Sequence, residues 1–133
     1  MIWRITKRLL GRPESVLDAS CGRGDFALSL SRQIPVVAGC DISEAMIAVA
    51  GSLAPGLRFE VADFRSLPFA DGEFDAVTCV YAFHHILPQD RAQVLSELAR
   101  VCRNRVVVEF KNRRSLYYRG SKTLHFSGIT THL

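Results

Sequence analysis

Apolar and polar positions along this chain switch repeatedly between two spacings, and the switching predicts the order of its elements. Ser15-Val-Leu-Asp-Ala19 is an apolar run of buried-strand length, punctuated by Gly22 and Gly24. From Asp25 to Ile34, Phe26, Ala27, Leu28, Leu30 and Ile34 fit a helix buried on a broad face, and Pro35 cannot continue it. Val36-Val-Ala-Gly-Cys40 predicts a second strand ended by Asp41. Ser43 is an N-cap residue for a helix from Glu44 to about Leu53, closed by Pro55-Gly56. Leu57 to Val61 alternates with period two and predicts a third strand. Ala70-Asp71-Gly72 has turn chemistry, and Phe74 to Tyr81 is a nearly continuous apolar fourth strand. After Pro88, residues Val94, Leu95, Leu98 and Val101 mark one face of a helix over Arg91 to Val101, and Arg105 to Phe110 predicts a fifth strand. Strands alternating with helices across short connections describe an α/β domain with a parallel sheet covered by helices.

The two ends are less regular. Ile2, Ile5 and Leu9 share one face of a helix over residues 1–12, flanked by Trp3 and Leu10. Such a helix either docks on its own domain, which is the expectation, or lies on a membrane surface. After Lys111 no period is clear; Arg113, Arg114, Arg119 and Lys122 make residues 111–133 a basic tail, read as solvated, with Tyr117, Tyr118 and Phe126 interspersed.

Composition narrows the class. The 133 residues, 48% hydrophobic and 23% charged, match one ordinary globular domain and exclude disorder or a fibrous chain. No run approaches the ~20 apolar residues of a membrane-spanning helix, and the start does not read as a signal peptide. The net charge of +4 is concentrated at the ends: residues 13–99 carry twelve acids and five bases. A specific nucleic-acid partner is therefore not expected. Cys21, Cys40, Cys79 and Cys102 have no metal-ligand spacing, and three sit in apolar or Gly-rich stretches. Reduced, buried thiols in a cytoplasmic protein and no metal site are expected.

In an open parallel sheet, ligands bind beyond the carboxyl ends of the strands. The chemistry-bearing residues fall there. After the first strand comes Asp18-Ala19-Ser20-Cys21-Gly22-Arg23-Gly24, where glycine lets backbone approach a ligand closely, although a plain strand-to-helix turn would use the same residues. After the second, Asp41 stands 19 residues beyond Gly22, where a carboxylate accepts both hydroxyls of a ribose. After the third, Asp63-Phe64 offers an acceptor for an exocyclic amine and a ring to cover a base. Together they describe a nucleoside pocket. Gly22-x-Gly24-x-x-Ala27 with Asp41 also fits a dinucleotide fingerprint. Asp18 and Asp25, however, would repel a pyrophosphate, whereas Asp18 favours an ammonium or sulfonium. Charge thus favours S-adenosylmethionine over a nicotinamide dinucleotide.

The chain resembles the class I, Rossmann-like S-adenosylmethionine-dependent methyltransferases, in their type 11, ubiquinone-biosynthesis-like group. Four segments carry the likeness: Val16 to Asp25, Gly39 to Met46, Ala62 to Val77, and His84-His85-Ile86. It covers roughly residues 12–110, and Leu67 to Val77 is its most specific part. The resemblance implies a three-layer α/β sandwich with a mostly parallel sheet of about five strands in the order 3-2-1-4-5. It implies that Asp18 to Gly24 serve the methionine portion of the cofactor, Asp41 and its neighbour Ile42 the ribose, Asp63 the adenine amine and the Phe64 backbone the ring. Tyr81 would line the methyl-transfer side.

Two departures stand out. Ser20 replaces the first glycine of the family's Gly-x-Gly-x-Gly loop, and the family's last two strands are missing after residue 110. An open edge on the fifth strand, available for self-association, is therefore expected.

Three functions fit these residues. The first is methyl transfer to a small-molecule acceptor, with His84 or His85 as base at the mouth after the fourth strand, since imidazole exchanges protons near neutrality. Packing and solvation are the alternative roles for these histidines. Tyr81 and Phe83 are candidates to face the sulfonium, with core packing the alternative for Phe83. The second function is a cofactor-binding or partner-pairing domain without catalysis. The third is a nicotinamide-dependent oxidoreductase.

Overall fold

The apolar runs form a single twisted sheet in a computed structural model that describes residues 2–80, 82–111 and 121–127. The elements are α1 (Ile2–Leu10), β1 (Ser15–Asp18), α2 (Asp25–Ser31), β2 (Val36–Asp41), α3 (Glu44–Leu53), β3 (Arg58–Val61), β4 (Phe74–Cys79), α4 (Arg91–Arg100), β5 (Cys102–Lys111) and β6 (Ser121–Ser127). Short 3-10 turns at Phe83–His85 and Pro88–Asp90 link β4 to α4. The strand order is β3-β2-β1-β4-β5-β6, so the predicted order 3-2-1-4-5 stands, with every pair among those five parallel.

Successive residues of the central strands point to opposite faces, and each face has its own core. Leu17, Val77, Val106 and Val108 pack with Leu98 and Val101 at the α4 side. Val16, Ala76 and Val107 pack with Leu10, Phe26 and Leu30 of α1 and α2. Gly39 on β2 is required by close approach: a Cβ there would lie 2.8 Å from Cys21 Cβ and from the Phe59 ring. Gly24 combines a φ of +85° with an Ala50 side chain 3.0 Å from where its Cβ would be, which sets α2 against α3.

The most specific block of the sequence likeness is held by one arginine. Arg100 Nη2 donates to the Leu67 carbonyl at 2.9 Å, and its Nη1 donates to the Phe69 carbonyl and to Asp71 at 2.8 Å. Glu97 pairs with Arg100 at 2.8 Å and accepts the Leu67 N–H at 2.7 Å. That clamp lays residues 67–71 on α4 and delivers the chain to β4.

At the N-terminal end, α1 docks on its own domain. Thr6 and Leu10 are buried, Trp3 meets Phe26 at 5.2 Å between ring centres, and Lys7 bonds the Ser29 hydroxyl. The Arg105 guanidinium donates to the Leu9 carbonyl, capping the helix from 96 residues away.

The expected open edge on the fifth strand is corrected by β6. It pairs antiparallel along β5 from Arg105↔Ser127 to Lys111↔Ser121, so self-association through that edge would have to displace it. Lys111 and Lys122 of the expected tail are strand residues; Arg113, Arg114, Arg119, Tyr117 and Tyr118 lie outside the described residues. Among the described residues, no helix is long and apolar enough to cross a membrane, and no group of three or more His, Cys, Asp or Glu is placed to hold a metal. Cys21, Cys40, Cys79 and Cys102 are free and buried.

Candidate functional site

Parallel strands deliver their carboxyl ends to one side of the sheet. There, β1 ends at Asp18, β2 at Asp41, and the chain beyond β3 reaches Asp63. All three carboxylates line one cavity of about 710 Å³. Ser20, Cys21, Gly22, Ile42, Phe64 and His85 line it as well, so the structure gathers most of the sequence-predicted residues into one place. Ala19 is fully buried beneath it, and Gly24 shapes the turn into α2 without lining it.

Asp18 is 2% exposed. Its Oδ1 accepts the Thr78 hydroxyl at 3.1 Å, from the facing position of β4. Burial pushes its carboxyl from an ordinary 3.8 up to about 7; the Thr78 hydroxyl and a Ser20 backbone bond oppose the rise, and the Asp41 charge adds to it. A cation in the cavity would restore the ionised form. Cys21 and Cys79 are pushed up to about 12, chiefly by burial, which leaves them as thiols.

Asp41 organises the loop as well as facing the cavity. Its Oδ2 accepts the Gly22 N–H and its Oδ1 the Ser43 N–H, both at 3.0 Å. Each oxygen retains a further acceptor direction. The loop is also held at Cys21, whose N–H donates to the Cys40 carbonyl at 3.0 Å. Ser20, the replacement for glycine, has a structural use: its hydroxyl donates to the Val80 carbonyl at 2.8 Å and accepts the Val80 N–H at 3.1 Å. One side chain thereby staples the loop to the end of β4.

Asp63 is engaged differently from the expectation of an open acceptor. Oδ1 accepts the Arg65 N–H at 2.9 Å and Nε at 3.1 Å; Oδ2 accepts Nη2 at 2.8 Å and Nε at 3.2 Å. These bonds hold the Asp63 carboxyl below the usual range. Phe64 is half-buried against the core, and Ile42 keeps 64% of its surface exposed at the cavity rim.

On the opposite side, Phe83 is 1% exposed and belongs to the core, so it does not face the cavity. That burial anchors the 3-10 turn carrying His85, whose N–H donates to the Ala82 carbonyl at 2.9 Å. His84 lies on the same turn, with its side chain outside the described residues; Tyr81 is outside them altogether.

Sequence reasoning missed several participants. Trp3 and Phe26 form an aromatic wall, and no local pattern links residue 3 to this cavity. Asp90 and Arg65 also line it. Thr78 had a signal: with Asp75 it is one of two polar residues in the fourth strand. With Asp18, Asp25, Asp41, Asp63 and Asp90 against Arg65, the described lining is strongly acidic. It suits a ligand that carries positive charge beside hydroxyl and amine donors.

Residues 16–105 match the methyltransferase domain family. The ubiquinone/menaquinone biosynthesis C-methyltransferase UbiE of Geobacter sulfurreducens is 37% identical over 123 residues, covering 84% of this chain and 47% of that protein. Among solved structures, the YcgJ protein of Bacillus subtilis aligns with a TM-score of 0.71 at 32% identity, over 80% of this chain and 48% of that one. Magnesium protoporphyrin IX methyltransferase from Synechocystis, solved with bound S-adenosylmethionine, aligns with a TM-score of 0.68 at 26% identity, over 85% and 56%. The chain spans about half the length of the curated relatives it matches.

Proposed function

Because the chain belongs to the methyltransferase domain family, in its class I S-adenosylmethionine-dependent branch, we propose that it binds S-adenosylmethionine and directs methyl transfer to a small-molecule acceptor. The observation that carries this reading is the convergence of Asp18, Asp41 and Asp63 on one acidic cavity. The cavity fits the cofactor on its own terms. Its volume of about 710 Å³ lies in the range of small-molecule sites. Its acids match a ligand with an ammonium, a sulfonium and two ribose hydroxyls. Ile42 and Phe64 add apolar surface to the same lining.

When bound, the cofactor supplies an activated methyl group on a sulfonium, and the displaced carbon–sulfur electron pair stays on the departing thioether. The chain's own residues do the rest. Asp41 holds the ribose and, through Gly22, the loop that receives the methionine end. Asp18 balances the positive charge from beneath. The paired rings of Trp3 and Phe26, with Ile86 and Leu87, give the cavity apolar lining for a flat, apolar acceptor. His85, which lines the cavity, takes the proton that an acidic acceptor carbon or hydroxyl gives up on this reading. The relative's printed role as a C-methyltransferase of ubiquinone and menaquinone biosynthesis supports a quinone-type ring as the acceptor class.

Calorimetric titration with S-adenosylmethionine tests the core of the proposal. Saturable binding at one site per chain is expected, and absence of binding would remove the enzyme reading. Asp41→Ala should weaken binding at least about tenfold, since charge-assisted bonds to a ribose contribute roughly 1.5–3 kcal/mol. Unchanged affinity in that variant would place the ribose elsewhere.

A further inference from the structure

The adenine end of the cavity already holds an internal donor. Arg65 engages both Asp63 oxygens through Nε, Nη2 and its own backbone N–H. A carboxylate offers about four acceptor directions, and three N–H hydrogens, the Nε–H shared between the two oxygens, engage both oxygens of Asp63. A base amine that approaches Asp63 therefore meets a carboxylate with both oxygens already engaged. On the reading of Asp63 as the adenine acceptor, we infer that the Arg65 guanidinium is a stand-in ligand at this subsite, one that cofactor binding must displace from part of the carboxylate.

The loop does not need that guanidinium to keep its shape. The Arg65 backbone N–H donates to Asp63 Oδ1 without its guanidinium, the Ser66 N–H donates to the Asp63 carbonyl at 3.0 Å, and Gln93 Nε2 donates to the Arg65 carbonyl at 2.9 Å. Both side chains of the pair are substantially exposed, at 54% for Arg65 and 38% for Asp63, so exchange does not uncover a buried charge. Asp90 offers the displaced guanidinium an alternative: it lines the same cavity, and its charge already acts on Arg65. The swap replaces one set of N–H donors on Asp63 by the base amine and moves the arginine toward a second carboxylate. It involves no proton transfer and no covalent change.

The test is a calorimetric titration of the full chain with two ligands, S-adenosylmethionine and S-adenosylhomocysteine, the second lacking the sulfonium charge. Arg65→Met keeps the length of the side chain and removes its donors. The variant is expected to bind both ligands about two- to fivefold tighter than the parent, the scale of an exposed ion pair. In an Asp63→Ala background the same substitution should bring no gain. Tighter binding of S-adenosylmethionine alone would mean that only the overall cavity charge changed, and would overturn the exchange. Equal or weaker binding of both would also overturn it, because Arg65 would then be inert or would itself hold the ligand. A thermal melt coincident with the parent's confirms that the loop is intact, and a lowered melt would contradict the main-chain account. If neither parent nor variant binds either ligand, the S-adenosylmethionine reading itself fails and this inference falls with it.

Discussion

Turnover of a His85→Gln variant is expected to fall by roughly 10²–10⁴-fold, the usual contribution of a positioned general base. Its affinity for S-adenosylmethionine should stay within about twofold of the parent's. Glutamine keeps a polar side chain of similar reach but cannot accept the acceptor's proton. The turn itself should survive, because it is fixed by the buried Phe83 and by the His85 N–H bond to the Ala82 carbonyl, neither of which involves the imidazole. The measurement is release of S-adenosylhomocysteine with a hydroquinone acceptor, set beside calorimetric binding of the cofactor. Undiminished turnover would remove His85 from the chemistry. A companion His84→Gln variant then shows whether its neighbour on the same turn takes the proton.

The second large effect concerns Asp18 and acts on stability. Its carboxyl is raised by burial from about 3.8 to about 7. The folded protein therefore holds a proton that the unfolded chain has already released. Stability contributed by this group is lost as pH rises from about 4 to about 7, and the loss levels off above that. Over the full window it amounts to roughly 4 kcal/mol, at about 1.4 kcal/mol for each tenfold change in proton affinity. Asp18→Asn abolishes the titration and keeps an oxygen for the Thr78 hydroxyl. Urea unfolding at pH 5 and pH 8 should show the parent weakening between the two and the variant nearly level, with the variant the more stable at pH 8. The same substitution should weaken S-adenosylmethionine binding, since it deletes the negative charge beneath the cation. For the parent, affinity for this cation should rise with pH up to about 7. Parallel unfolding curves for parent and variant at both pH values would contradict the placement of the proton on Asp18.

Three strand ends were legible in the sequence because the first two strands end at a carboxylate and the third is followed by one two residues later, on the side where a parallel sheet binds ligands. Asp18, Asp41 and Asp63 were read on that basis, and they do line one cavity. What escaped is long-range. The Ser20 hydroxyl meets Val80 sixty residues away, and Arg105 reaches Leu9 across ninety-six, with no local pattern at either end. Arg65 sits two residues from Asp63, yet a charge in a loop reads equally well as solvated, and only coordinates show its fork on the carboxylate. β6 escaped for another reason. Ser121 to Ser127 has only Leu124 and Phe126 as apolar residues, and they pair with Val108 and Val106. Two apolar positions in a basic stretch are too few to stand out. The start of β5 was hidden likewise, because Arg103 and Asn104 interrupt the apolar run where its register against β4 shifts.

The capping of α1 by Arg105 has a consequence for the order of events on the ribosome. Helix α1 leaves the exit tunnel well before its final partners, Ala76, Val107 and Arg105, which are encoded some 65 to 100 residues later. At about 5–20 residues per second, several seconds separate the synthesis of α1 from that of the strand that fastens it. Phe26 and Ser29 of α2 can hold it meanwhile, but the surface beneath Leu10 is finished only when β5 arrives. Helix α1 is thus made well before it is fully seated, and the aromatic wall that Trp3 contributes to the cavity matures with the far side of the sheet.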